Sequence, residues 1–92
     1  MSGDPGGVSD TPAITIYSKP GCHLCDEMKH VVLGVSKTVP MTIEEVDIST
    51  DPELDSRYGL EIPVLLVDGQ KAAKYRIADG ELRRILEARR QR

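Results

Sequence analysis

The stretch Ser18-Lys19-Pro20-Gly21-Cys22-His23-Leu24-Cys25-Asp26-Glu27-Met28 (SKPGCHLCDEM, 18–28) holds the only two cysteines of the chain, with two residues between them. Just before it, AITIYS (13–18) alternates apolar and polar residues and is rich in β-branched side chains, which predicts a strand. Lys19, Pro20 and Gly21 break that strand. From Cys22 onward, Cys25, Met28, Val32, Val35 and Val39 recur at spacings of three and four, which places them on one helical face. Asp26, Glu27, Lys29 and His30 fall on the opposite face. The first cysteine therefore sits where a strand hands over to a helix, beside unpaired backbone N–H groups at the positive end of the helix dipole. Such a place favours thiolate over thiol. Cys25 lies nearly one turn deeper, within reach of Cys22, so the pair can close into a disulfide and reopen through a mixed intermediate. Cys22 reads as the exposed nucleophile and Cys25 as the resolving thiol.

Working outward, MTIEEVDI (41–48) predicts a second strand. Asp51-Pro52 reads as an N-cap followed by proline at the first helical position. That helix is expected to end near Tyr58, with Gly59 as a left-handed stop. Val64, Leu65, Leu66 and Val67 are apolar at every position, as in a strand covered on both faces. Asp68-Gly69 is a hairpin turn signal, so residues 71–75 are expected to return as an antiparallel edge strand guarded by Lys71 and Lys74. A last helix is expected from Asp79, its cap, with Leu82, Ile85 and Leu86 facing inward. The order is β-α-β-α-β-β-α, with no internal repeat. It predicts an α/β thioredoxin-like fold, with a mixed four-stranded sheet and helices on both faces.

With 92 residues, one domain is expected, and without Trp or Phe its core must come from aliphatic side chains. The net charge of −3 argues against nucleic-acid binding. Residues 83–92 carry five Arg against one Glu, or +4, which leaves −7 for the remainder. That basic end suits a helix C-terminus. No run is long and apolar enough for a membrane span. MSGDPGGVSDTP (1–12) has neither the basic start nor the apolar stretch of a secretory signal, and its composition predicts a disordered leader. Residues 13–92 are taken as the folded domain. The expected compartment is the cytoplasm, whose reducing conditions disfavour a lasting structural disulfide.

YSKPGCHLCDEM resembles the active-site segment of glutaredoxins, in which a lysine stands three residues before the first cysteine, as Lys19 does. RYGLEIPVLLVDG resembles the segment of thioredoxins and glutaredoxins in which a cis-proline, here Pro63, opens the third strand. The chain looks most like small bacterial glutaredoxin-like proteins with a C-H-L-C motif. The resemblance runs from about residue 13 to 88 and implies a thiol–disulfide oxidoreductase acting on protein or glutathione mixed disulfides. It implies that Pro63 lies against the cysteine pair, that Ile62, Pro63 and Val64 offer backbone groups to substrate, and that Lys19 works beside the thiolate or a substrate carboxylate. Arg76 is a candidate for a further carboxylate contact.

Departures from the pattern bear on the electron donor. Leu24 replaces the usual aromatic residue, and Ile77-Ala78 stands where glutaredoxins have the Gly-Gly that lets glutathione approach. A branched Ile77 near the γ-glutamyl site would cost shape fit. Glutathione is therefore expected to bind weakly, and a flavoprotein reductase or another thioredoxin-like protein is the expected donor. Beyond the Cys22–Cys25 disulfide no cofactor is expected, and the chain is expected to act as a monomer on protein disulfides. His23 carries two readings: an exposed helix-start residue, or an imidazolium that stabilises the Cys22 thiolate. The rival to catalysis is a binding module. Zinc needs four ligands, and this chain offers no second ligand pair. An iron–sulfur cluster shared through Cys22 of two chains is the other form of that rival.

Overall fold

The computed structural model describes residues 11–90. The expected leader, up to residue 10, lies outside them, as do Gln91 and Arg92 of the basic end. Strands β1 (Ala13–Ser18), β2 (Thr42–Asp47), β3 (Val64–Val67) and β4 (Gln70–Lys74) form one sheet in the order β2-β1-β3-β4. β1 pairs parallel with β2, from Ala13 opposite Thr42 to Ser18 opposite Asp47. β3 runs antiparallel to both β1 and β4. Helices α1 (His23–Ser36), α2 (Pro52–Tyr58) and α3 (Asp79–Arg90) complete the thioredoxin-like order, with a 3₁₀ turn at Ile48–Thr50.

The two faces of the sheet are covered differently. Strand alternation sends Ile14, Ile16, Leu65 and Val67 to one side, where Met28, Val32 and Val35 of α1 and Leu82 and Leu86 of α3 close a dry core. All nine are at most 2 % exposed. The stripe expected along α1 is the stripe that is buried, apart from Val39, which packs against the core just beyond the helix. On the other side Tyr17 meets Tyr58 of α2, with ring centroids 5.0 Å apart. No residue of α2 is fully buried.

Local chemistry sets the boundaries, and several differ from expectation. Asp51 caps α2 by accepting from the N–H groups of Glu53 and Leu54, with Pro52 in the first turn, as expected. Gly59 is not a left-handed stop: its φ is −56°. The reason for glycine is space, because a Cβ there would lie 2.5 Å from the Asp55 carbonyl oxygen and 2.7 Å from Asp55 Oδ1. Asp68 and Gly69 turn the hairpin with φ of +52° and +84°. β4 starts and ends one residue before the expected 71–75, and its pairing slips at Leu65/Leu66. The left-handed residue at its end is Tyr75, at φ +70°. Asp79 is the first residue of α3, and its carboxylate accepts from Arg83 Nε at 2.7 Å.

Candidate active site

Strand β1 delivers the chain to the redox pair. Lys19, Pro20 and Gly21 follow it, and Gly21 turns the backbone at φ +79°, a conformation that costs side-chain-bearing residues more. The Cys22 N–H then bonds back to the Lys19 carbonyl at 3.3 Å, which aims Cys22 into the N-cap position of α1. Cys22 and Cys25 are joined as a disulfide, with Cα atoms 5.2 Å apart. The Cys25 N–H donates to Cys22 Sγ at 3.2 Å. The sulfur thus takes the part that a Ser or Asp oxygen plays at an ordinary helix start. A thiolate formed there on reduction inherits that donor. Cys22 is half-buried and Cys25 only 2 % exposed, the asymmetry expected of an attacking and a resolving sulfur.

The third strand reaches the same end of the sheet. Val64 pairs with Tyr17, so Pro63 stands one place further toward the loop that leads to Cys22. The Ile62–Pro63 bond is cis, as the resemblance implies, and Pro63 is buried. Ile62 is half-buried and Val64 fully buried. The Tyr75 N–H donates to the Pro63 carbonyl at 2.8 Å, and its hydroxyl donates to the Leu60 carbonyl at 3.2 Å. Held this way, Tyr75 keeps a backbone conformation uncommon for a residue with a side chain. Leu60 itself is 94 % exposed.

On the other flank a cleft of about 320 Å³ opens along Ser18, Lys19, Pro20 and Gly21 and continues over Asp26, Lys29, Glu45 and Asp47. Three of its polar groups, Ser18, Lys29 and Glu45, engage one another. Glu45 accepts from Lys29 Nζ at 3.1 and 3.3 Å and from the buried Ser18 hydroxyl at 3.0 Å. The Ser49 hydroxyl, and then its N–H, hold the Asp47 carboxyl below the usual carboxylate range, with Lys19 adding its charge. Lys19 Nζ lies 2.6 Å from Asp55 Oδ1 on α2.

Cys22, Cys25, Lys19 and Pro63 gather at one end of the sheet, and Arg76 follows β4 at that same end. His23 is almost fully exposed and pairs with Glu27 one turn on, at 3.3 Å. Arg76 is exposed just past the end of β4. Ile77, expected beside the γ-glutamyl site, has its side chain buried in the core with Leu82 and Leu86. Asp55 is not legible in the sequence as a functional residue. The one local signal is Gly59 four positions later, whose missing Cβ leaves room for that carboxylate. Among the described residues no group of three or more His, Cys, Asp and Glu is arranged to hold a metal ion, and no helix is long and apolar enough to cross a membrane.

Residues 13–87 match the family described as "Glutaredoxin-like domain (DUF836)". A Dictyostelium discoideum protein named "Glutaredoxin-like protein YDR286C homolog" is 30% identical over 75 residues, which cover 75% of this chain and 69% of that protein. The X-ray structure of protein XcR50 from X. campestris has a TM-score of 0.69 and 32% identity, covering 82% of this chain and 96% of that one. A mutant thioredoxin from Halobacterium salinarum has a TM-score of 0.59 at 20% identity over 88% of this chain and 77% of its own, which is a likeness of fold alone.

Proposed function

The chain belongs to the glutaredoxin-like family matched over residues 13–87, and from that premise we propose that it is a small thiol–disulfide oxidoreductase working through Cys22 and Cys25. The single observation that supports this best is the placement of the pair. One sulfur is half-buried, at the N-cap of a helix, with a backbone N–H aimed at it, and the other is buried one turn away at bonding distance.

The reaction starts from the dithiol. The Cys22 thiolate attacks one sulfur of a substrate disulfide, forming a new S–S bond and expelling the other sulfur as a thiolate that takes up a proton. Cys25 then loses its proton and attacks Cys22 Sγ. The mixed disulfide breaks, the second substrate thiol leaves, and the Cys22–Cys25 disulfide forms. Two electrons have passed from the dithiol to the substrate. A two-electron thiol or dithiol donor returns them by the same exchange in reverse. Pro63 and its neighbours Ile62 and Val64 supply the backbone edge beside which a substrate peptide lies, in the reading carried over from the family. Protein disulfides are the substrate class, the cytoplasm is the compartment, and a flavoprotein reductase or another thioredoxin-like protein is the donor.

The test is reduction of a peptide mixed disulfide by stoichiometric dithiol protein, followed by release of the peptide thiol. Full release with wild type and none with Cys22→Ser is expected. A purified protein that is coloured, carries iron and sulfide, and releases no thiol would replace this reading with cluster binding.

A further inference from the structure

The cleft beside the redox pair is lined by two ammonium groups and three carboxylates. Both ammoniums are already engaged: Lys29 by Glu45, and Lys19 by Asp55, which reaches in from α2. Asp26 and Asp47 add negative charge to the same wall. The cleft begins at Ser18–Gly21, directly before Cys22, whose N–H donates to the Lys19 carbonyl. An anionic group arriving there meets carboxylates and must take Lys19 from Asp55. A cationic one meets Asp26 and Asp47, neither of which is in a lysine ion pair among the described residues.

We infer that Asp55 sets the charge preference of this site, withholding Lys19 from anionic partners so that disulfides bearing cationic groups are favoured over those bearing the carboxylates of glutathione. The inference rests on the redox reading above and does not depend on Ile77, whose side chain is buried in the core. The placement of Asp55 is built in. A side chain at residue 59 would begin 2.5 Å from the Asp55 carbonyl oxygen and 2.7 Å from Oδ1, so glycine at 59 leaves both in place. α2 carries no fully buried residue, so a change at Asp55 alters the cleft without opening the core.

The test uses one cysteine peptide capped as a mixed disulfide either with glutathione or with cysteamine, reduced by the full chain. Wild type is expected to have the higher kcat/KM for the cysteamine form. Asp55→Asn should raise the glutathione rate and lower the cysteamine rate, moving their ratio by about two- to fivefold, the scale of a half-exposed ion pair. Adding Lys19→Gln to Asp55→Asn should cancel the gain for glutathione, which a merely structural effect of Asp55 would not do. A ratio unmoved by Asp55→Asn, a shift that survives Lys19→Gln, or a wild type that prefers the glutathione form would overturn the inference. If neither peptide is reduced, the oxidoreductase reading falls. The role of Asp55 is then decided by titrating S-methylglutathione onto the oxidised protein by NMR. Tighter binding to Asp55→Asn than to wild type supports it, and equal binding refutes it.

Discussion

The two faces of the sheet are built from the same strands and to different ends. On one face, side chains of β1 and β3 interlock with two long helices in a dry aliphatic core. On the other, the seven-residue helix α2 rests on a tyrosine pair and the 3₁₀ turn at Ile48, with no residue of its own fully buried. The larger core therefore lies on the first face, while the second buries Ile48, Val64 and Leu66 and carries polar side chains toward the redox end. Lys19 and Asp55 meet on that lightly packed side, 36 residues apart in the chain. A core holding an ion pair would bear a desolvation cost that a half-exposed pair avoids. Substitutions on α2 are accordingly expected to change what the protein prefers before they change whether it folds.

A matched pair of truncations tests that division. Leu82→Ala empties space in the aliphatic core and should cost about 2–5 kcal/mol of unfolding free energy. Tyr58→Ala removes a half-exposed ring whose main partners are Tyr17 and the nearby Arg57 and Lys71, and should cost about 1–2 kcal/mol. Urea unfolding of the oxidised proteins measures both. Equal costs, or a larger one at Tyr58, would show that the two faces share the load.

The smallest expected effect is electrostatic and lies at the end of the sheet away from the cysteines. Asp68 accepts from the Ala13 N–H and from Arg89 Nε, each at 2.9 Å, tying the hairpin turn to the first strand and the last helix. The Ala13 N–H first, and then Arg89, hold its carboxyl below the usual range. A carboxyl with a depressed folded pKa contributes stability that is present above its unfolded value of about 3.9 and is lost as pH falls through the lower folded value. Asp68→Asn, which keeps a residue that tolerates positive φ, should cost about 1 kcal/mol or less near neutral pH, because solvent screens the pair. Thermal unfolding followed from about pH 6 down to strong acid should show wild type and variant converging. A gap that persists or widens in acid would assign the effect to something other than this charge.

These contrasts also show what can be read from the chain beforehand. Alternation in 13–18, the stripe from Cys25 to Val35 and the Asp68-Gly69 turn are legible because each is a local pattern that only one element satisfies. The redox pair is legible because its spacing and its place at a strand-to-helix junction are both local. Gly59 misleads because glycine answers two different needs: a left-handed φ, and the room beside Asp55. Only the packed structure says which. Ile77 is less legible: it lies between β4 and α3, outside any periodic stripe, and only the packed structure shows its side chain in the core. The Lys19–Asp55 pair depends on how α2 is seated, which no window of sequence contains.

Thiol exchange through Cys22, with Cys25 resolving, is tested most directly by trapping. Reduced Cys25→Ser protein is mixed with a disulfide-linked peptide near neutral pH, and the products are read by intact mass and peptide mapping. A mixed disulfide accumulating on Cys22 and persisting, while wild type under the same conditions releases the peptide and ends as the internal disulfide, is the expected result. No adduct on Cys22, or an adduct that clears from Cys25→Ser as fast as from wild type, would contradict it.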